Sequence, residues 1–155
     1  MTTPSQRLAE LGITLPPVVA PVAAYVPAVR SGNLVWTSGQ VPMVDGKLAV
    51  TGKVGQEVDP ATAKELARTC ALNALAAIDS VAGLDNVERV VKVVGFVASA
   101  VGFFGQPGVI NGASELLGEV FGDAGKHARS AVGVAVLPLD APVEVEVVVE
   151  VRSGS

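Results

Sequence analysis

The spacing of apolar residues in the first third of the chain is typical of β-structure. Tyr25–Val29 and Leu34–Ser38 are two runs rich in β-branched and aromatic side chains. Arg30–Asn33 lies between them and supplies turn residues, so the pair is predicted to form a β-hairpin. The Asp45–Gly46 dipeptide predicts a second turn, and Leu48–Val50 is predicted as a short edge strand after it.

Two longer segments repeat apolar residues at steps of three and four, which is the period of an amphipathic helix. The first is predicted to begin at Asp59, a good N-cap before Pro60, and to end at Gly83. The second is predicted to run from about Pro107 to Gly122. The apolar stripe of the first helix comprises Ala63, Leu66, Ala67, Cys70, Ala74, Ala77, Ile78 and Val81, with Lys64, Glu65, Arg68 and Asn73 off it. The apolar face of the second comprises Val109, Ile110, Ala113, Leu116, Leu117, Val120 and Phe121.

Runs of β-branched residues lie between and after these helices. Val90–Ala98, Ser130–Leu137 and Val143–Val151 are predicted strands, the last two joined as a hairpin through Pro138–Pro142. Helices that are separated by strands indicate the α+β class. The predicted architecture is a mixed β-sheet with two main helices packed on one of its faces.

The last predicted strand has two different faces. Val143–Val151 carries a valine at every second position, so its valine face is predicted to contact the helices. Glu144, Glu146 and Glu150 then lie on the opposite face. Two interpretations of these glutamates stay open: a solvated acidic surface, or a subunit interface in which each carboxylate needs a polar partner.

The length of the chain fits one domain around one core, since 155 residues is a common single-domain size. Residues 1–20 are predicted as an N-terminal helix at Ser5–Leu11 followed by an extended arm that starts at Leu15 and is rich in proline. Residues 21–155 are predicted as a single domain without an internal repeat or linker.

Composition and charge exclude several classes of protein. Apolar residues make up 50% of the chain and charged residues 17%, which excludes disorder and indicates that partner subunits cover some apolar surface. The net charge of −4 argues against nucleic-acid binding, which depends on neutralising phosphates. A single cysteine and a single histidine exclude an internal disulfide and a two-histidine metal centre.

One uncharged stretch is long enough to span a membrane. Val93–Ser114 has 22 residues, but five glycines and a proline interrupt it, so it is predicted to be a strand, a loop and the start of a helix. The N-terminus lacks a basic segment before an apolar run, which is the pattern of a secretory signal. We therefore expect no membrane span and a cytoplasmic protein.

Three residues could carry chemistry, and each has a structural alternative. Cys70 lies on the stripe of the first helix, which favours a core position over a nucleophile. His127 could act as a general base or could make only ordinary hydrogen bonds in a loop. Arg129 opens an apolar strand, where its planar guanidinium suits a carboxylate. A surface ion pair between Arg129 and an acidic neighbour such as Glu144 is the alternative.

Several motifs together resemble the RidA/YjgF family, also called reactive-intermediate or imine deaminases and L-PSP proteins. The resemblance covers roughly residues 20–152, and residues 7–16 resemble an extended N-terminal branch of the same family. The matched positions are Tyr25, Asn33–Gln40 with its Thr-Ser-Gly-Gln sequence, Asn111, Ala128–Ser130, Leu137–Pro138 and Val143–Glu146.

The resemblance implies a chorismate-mutase-like fold and a homotrimer with small-molecule clefts between its subunits. The implied reaction is the hydrolytic deamination of enamine or imine intermediates, such as 2-aminoacrylate, to 2-keto acids and ammonia. In this reaction Arg129 would bind the substrate carboxylate, and Glu144 would position or deprotonate the attacking water. Tyr25 and Ser38 would contact the substrate or that water.

The resemblance also implies further substrate contacts at Gly39, Asn111 and Ala131. It implies no metal and no other cofactor, because an imine carbon is already electrophilic. His127 stands where the family often has proline, and Ala131 where it often has cysteine. Two other functions remain alternatives: a non-catalytic protein of the same fold that binds small carboxylates, and an endoribonuclease or translation inhibitor, which the acidic charge and single histidine disfavour.

Overall fold

The computed structural model describes residues 2–21 and 23–154. Met1, Val22 and Ser155, which belong to the predicted arm and domain, lie outside the described residues. Within the described part, three helices and five strands follow one another along the chain. The helices are α1 (Pro4–Glu10), α2 (Pro60–Ala82) and α3 (Gln106–Phe121); the strands are β1 (Ala28–Ser31), β2 (Leu34–Thr37), β3 (Val87–Ala98), β4 (Ala128–Val134) and β5 (Val143–Val151).

The strands form one mixed sheet in the order β1-β2-β5-β3-β4. The β1–β2 hairpin is confirmed, and β5 is antiparallel to both of its neighbours. The predicted C-terminal hairpin is wrong, because β4 and β5 do not pair. The α3 crossover places β4 parallel to β3 at the edge of the sheet, and β5 pairs on both sides between β2 and β3.

The first strand begins later than predicted. β1 starts at Ala28 rather than at Tyr25, because Pro27 has no N–H to contribute to a strand ladder. The Pro27 carbonyl accepts a hydrogen bond from the Ser38 backbone N–H at 2.8 Å. Tyr25 therefore precedes the sheet and lies in a connecting segment.

Helix α2 has the predicted ends. Asp59 caps its first turn by accepting a hydrogen bond from the Thr62 N–H at 2.7 Å, and Gly83 follows its last residue. The apolar stripe includes Cys70, which is fully buried and confirms the core interpretation of this cysteine. Burial raises the pKa of the Cys70 thiol well above its usual value.

One residue that was predicted to lie off this stripe is in fact buried. Asn73 is 1% exposed, and its Nδ2 donates to the carbonyls of Val41 and Met43, at 3.1 Å each. These bonds attach the segment before the Asp45–Gly46 turn to α2. That turn forms as predicted, but Leu48–Val50 is not a strand, because the segment it would pair with is bound to the helix.

The core lies between the helices and the valine face of β5. All five alternating valines from Val143 to Val151 are at most 1% exposed, which confirms the predicted orientation of the strand. The stretch Val93–Ser114 is divided between β3, a loop and α3, as predicted. Among the described residues, none of the helices combines the length and apolarity that a membrane crossing requires.

The N-terminal segment packs on the domain from outside. Helix α1 begins with a capping box between Thr3 and Gln6, and Leu8 is buried against the core. The arm after it lies against α2 and the Asp45–Gly46 turn, leaving a cavity of about 500 Å³ to which Val18 and Met43 contribute walls. None of the predicted site residues lines this cavity.

Helices α2 and α3 cross at Gly112, and this contact yields a stability prediction. A Cβ at residue 112 would overlap the Lys64 carbonyl, with the carbonyl carbon only 2.9 Å away. We expect Gly112→Ala to lower the free energy of unfolding by about 1–3 kcal/mol, since overpacking outweighs the gain in helix propensity. Gly118→Ala on the same helix is the control: open space surrounds that position, so the substitution should stabilise by up to about 1 kcal/mol. Urea denaturation of both variants measures the difference, and equal effects would contradict the close crossing.

Candidate functional site

The predicted site residues lie in two groups on opposite faces of the sheet. Arg129 of β4 pairs with Val93 of β3, which pairs with Val147 of β5. Paired residues share a face, and Val147 is buried under the helices, so the Arg129 side chain lies on the helical side. Glu144 pairs with Phe96, three positions from Val93, and therefore lies on the opposite side.

A β-bulge shapes the backbone around Glu144. Trp36 pairs with Val148 and Gln40 with Val145, so four steps along one segment match three along the other. The extra residue lies between Trp36 and Gln40. This segment includes Gly39, whose backbone lies against the Glu144 side chain. A Cβ at residue 39 would be 2.8 Å from the carboxyl carbon of Glu144. A side chain at residue 39 would therefore displace the Glu144 carboxyl group from its present position.

A cleft of about 90 Å³ opens beside Glu144, and we call it the Glu144 cleft. Tyr25 and Gly39 line it, together with Val19 and Ala20 of the N-terminal arm. Leu139 closes another side and has a φ of +61°, which a leucine rarely adopts. The arm is therefore a wall of the cleft as well as of the larger cavity next to it.

Ser38 is next to this cleft, and its hydroxyl makes one hydrogen bond. The Ser38 Oγ donates to the Val26 carbonyl at 2.6 Å, which holds the segment after Tyr25 against the bulge. The oxygen lone pairs of Ser38 have no donor among the described residues. The structure thus gives Ser38 a positioning role, and its predicted contact with substrate or water stays a prediction.

The surroundings of Glu144 make its carboxyl group harder to ionise. Burial raises the pKa of Glu144, and the nearby Glu146 carboxylate raises it further. A carboxyl group whose pKa moves toward neutrality is better suited to accept and return protons near pH 7. The same shift has a consequence for stability.

We expect Glu144→Gln to stabilise the protein at neutral pH and not in acid. The raised pKa means that the folded state holds the Glu144 proton more tightly than the unfolded chain does, so the ionised side chain destabilises the fold as the pH rises above about 4.5. Removing the charge removes this penalty. Thermal melts of both proteins at about pH 4 and pH 7.5 test it. Equal melting temperatures at neutral pH would show that the Glu144 carboxylate is well solvated.

The second group, which we call the Arg129 cluster, is held against α3. The Arg129 Nη1 donates to the Asn111 Oδ1 at 2.8 Å and to the Ser114 Oγ at 3.2 Å, and Nη2 donates to the Pro107 carbonyl at 3.3 Å. The alternative ion pair between Arg129 and Glu144 is not formed in the described part of the chain. Among the described residues these bonds use three of the five guanidinium N–H groups, so the Nε–H and one N–H of Nη2 have no acceptor there. Nε and Nη2 together form one edge of the guanidinium plane, and such an edge can bind a carboxylate through two bonds.

His127 completes this cluster. Its Nδ1 is 2.6 Å from the Gly125 carbonyl oxygen, and because a carbonyl only accepts, Nδ1 carries the proton. In the neutral ring Nε2 is then an acceptor, and the Ser114 hydroxyl donates to it at 2.9 Å. A directed chain of hydrogen bonds thus runs from Arg129 through Ser114 and His127 to the backbone.

The structure unites some predicted site residues and separates others. Tyr25 and Gly39 meet Glu144, whereas Asn111 meets Arg129, and Ala131 follows Arg129 on the same face of β4. Ser114 was not predicted from the sequence, although it is three residues after Asn111 and hence on the same face of α3. That spacing was the available signal, but it depended on the assignment of Asn111.

Comparison with known proteins gives one family. A family model described as "YjgF/chorismate_mutase-like, putative endoribonuclease" matches residues 5–151. The protein TCP17 of Trypanosoma cruzi is 44% identical over 149 residues, which cover 95% of this chain and 93% of TCP17.

Solved structures show the same similarity. The Agrobacterium tumefaciens protein Atu1372, described as having unknown function, is 49% identical with a TM-score of 0.88, covering 96% of this chain and 92% of its own. E. coli TdcF, solved with bound serine, is 29% identical with a TM-score of 0.61, covering 89% of this chain and 93% of TdcF. Other similar structures bear the names endoribonuclease or translation initiation inhibitor.

Proposed function

Because the chain belongs to the YjgF/chorismate-mutase-like family, we propose that it hydrolyses small enamine or imine acids, such as 2-aminoacrylate, to 2-keto acids and ammonia. The observation that best supports this proposal is the Nε–Nη2 edge of the Arg129 guanidinium, where two N–H groups have no acceptor among the described residues. The other N–H groups donate to Asn111, Ser114 and Pro107, and these bonds hold the guanidinium in place. That edge matches a carboxylate. The serine bound by TdcF, a small amino acid, is consistent with a ligand of this size and charge. We place the reaction in the cytoplasm.

The two halves of the site support a homotrimer in which neighbouring subunits combine them. Arg129 and Glu144 lie on opposite faces of the same sheet, so one small substrate reaches both only if they come from different copies. β4 is an edge strand, with the Arg129 cluster on it, and can approach a neighbouring subunit. The sheet face away from the helices exposes Val29, Trp36 and Val132, at 51%, 51% and 44%. An apolar face of this kind fits a subunit contact better than water.

The proposed reaction uses side chains of both halves. Arg129 binds the substrate carboxylate, and Glu144 of the neighbouring copy takes a proton from water as its oxygen bonds to the imine carbon. Glu144 passes this proton to the nitrogen, which gives a carbinolamine. Glu144 then takes the hydroxyl proton and returns it to the nitrogen as the carbon–nitrogen bond breaks, and ammonia and a 2-keto acid are released. The raised pKa of Glu144 suits both proton transfers. Tyr25 and Ser38 would orient the substrate or the water at the same cleft.

An assay with an imine generated in situ tests the function. A pyridoxal-phosphate dehydratase releases 2-aminoacrylate, and the protein should shorten its lifetime. We expect Arg129→Ala to reduce the catalysed rate by about 30-fold to 5,000-fold, since truncating one member of a charge pair shielded from water costs about 2–5 kcal/mol. Arg68→Ala is the control, because Arg68 instead pairs with Glu119 at 3.2 Å between α2 and α3. An imine lifetime that the wild-type protein leaves unchanged would rule out the proposal.

A non-catalytic carboxylate-binding protein is the second candidate, and the same free guanidinium edge favours it. Calorimetry with 2-ketobutyrate and pyruvate separates the two functions, because binding without any effect on imine lifetime supports this alternative. The family description also names endoribonuclease activity. The net charge of −4 and the single histidine weigh against RNA as the substrate.

A further inference from the structure

Ser114 and His127 form a pair that imine hydrolysis does not use. The Ser114 Oγ lies 2.9 Å from the His127 Nε2, and the His127 Nδ1 lies 2.6 Å from the Gly125 carbonyl oxygen. These contacts orient the ring with its proton on Nδ1 and its acceptor nitrogen facing the serine hydroxyl. A nucleophilic serine requires the same relation: a base within hydrogen-bonding reach and a third group that fixes the base.

We propose that Ser114 is a nucleophile activated by His127, and that the Arg129 cluster accepts the acyl group of small activated esters or thioesters bearing a carboxylate. This second activity is independent of Glu144 and of the proposed imine hydrolysis. It shares with that proposal the binding of a carboxylate by Arg129 and the bonds from Asn111 and Ser114 that hold Arg129 in place. The Ser114, His127 and Arg129 side chains are partly exposed, so a ligand can reach them.

The hydrogen bonds of Ser114 leave it free to attack. Its proton is donated to His127, and one oxygen lone pair accepts from the Arg129 Nη1 at 3.2 Å. A second lone pair remains for a carbonyl carbon. The Arg129 contact also stabilises negative charge developing on the oxygen. A serine that only caps a helix or contacts solvent lacks both the histidine acceptor and the arginine donor that Ser114 has.

Asn111 supplies the remaining element of an acyl-transfer site. It precedes Ser114 by three residues on α3, and its Oδ1 accepts from Arg129 at 2.8 Å. The Asn111 Nδ2 has no acceptor among the described residues. This amide can donate to the oxyanion that forms when a carbonyl is attacked, a role that side-chain amides fill in other acyl-transfer enzymes.

The proposed step balances with water as the only second reactant. The Ser114 oxygen bonds to the acyl carbon while its proton moves to the His127 Nε2. The bond from that carbon to the leaving oxygen or sulfur then breaks, and the leaving group takes the proton from Nε2. Water attacks the resulting ester in the same manner and releases a carboxylic acid, and the proton returns through His127 to Ser114.

Covalent labelling tests the proposal without any imine. The folded protein is treated with a fluorophosphonate, and the modified peptide is identified by mass spectrometry. We expect the adduct on Ser114, with a labelling rate about 100-fold lower in His127→Ala, since a positioned base contributes about 10²–10⁴-fold. Ser130→Ala is the matched control, because Ser130 follows Arg129 but lies on the other face of β4 and should leave labelling unchanged.

Two results would overturn the proposal. One is the absence of a Ser114 adduct in the folded wild-type protein, and the other is a labelling rate that His127→Ala leaves unchanged. Circular dichroism checks that the His127→Ala variant is folded. Ser114→Cys provides a second test, because an alkylating reagent should then modify residue 114 at a rate that also depends on His127. Loss of imine turnover alone would bear on the proposed function and not on this labelling.

Discussion

Mixing two inactive variants, Arg129→Ala and Glu144→Gln, should restore imine hydrolysis to about one quarter of the wild-type rate when subunits exchange freely in a trimer. Each single variant lacks one half of every site and is expected to lose most of its activity. In a mixed trimer, some sites combine an intact Arg129 from one subunit with an intact Glu144 from the next. Random assembly gives each required subunit a probability of about one half, and hence the quarter.

This result follows from the position of the two side chains on the sheet. Arg129 lies with Val93 and Val147 on the helical side, whereas Glu144 lies on the other side. The variants are unfolded together, refolded together and assayed against each variant refolded alone. As a control, Arg129→Ala is mixed with the double variant Arg129→Ala/Glu144→Gln, which supplies no intact Arg129 and should stay inactive. Native mass spectrometry verifies that the subunits exchange. If they exchange and the first mixture still does not recover imine hydrolysis, the site is not shared between subunits.

The sequence was most informative where one local pattern decides the structure. The alternation of Val143–Val151 determines which face of β5 is buried, because a half-buried strand can place its valines only on the core side. Asp59 and Pro60 determine the start of α2 by capping and by a preset backbone angle. In both cases the interactions involve residues within a few positions of one another.

The sequence was least informative where long-range pairing decides. The position of β5 between β2 and β3 depends on partners that are 46 to 116 residues away in sequence. Adjacency in the chain favoured instead the β4–β5 hairpin that was wrongly predicted. Asn73 is a polar residue, so its burial could be foreseen only with knowledge of the Val41 and Met43 carbonyls that it binds. Periodicity carries no information on such partners.

The candidate site shows the same division. The sequence indicated Arg129 as a carboxylate-binding residue and, through the family resemblance, Asn111 as a further substrate contact; the structure brings those two together. The sequence did not show that Arg129 and Glu144 lie on opposite faces of the sheet. That separation depends on the register in which β4 and β5 each pair with β3, because the register sets the face of each side chain. If two copies share the site as proposed, that separation requires the second copy to contact the first at the open sheet face or at the edge of β4.

Trp36→Asp should convert the proposed trimer into monomers and abolish imine hydrolysis, although every predicted site residue remains in place. Trp36 is 51% exposed on the sheet face that bears Glu146 and Glu150, and it pairs with Val148. Burying an unpaired carboxylate beside these glutamates would cost about 3–5 kcal/mol at each interface. The mass in solution should fall from three times 15.6 kDa to that of a single chain.

Two matched variants make this result specific to the sheet face. Val101 is fully exposed in the turn after β3, outside the strands that form this face, so Val101→Asp adds the same charge and should leave both mass and activity unchanged. Trp36→Phe keeps an apolar side chain and should remain trimeric. Light scattering coupled to size exclusion measures the mass. If Trp36→Asp remains an active trimer, the subunits do not associate through this face. If the wild-type protein is itself a monomer, Arg129 and Glu144 cannot share a substrate, because the sheet of a single chain separates them.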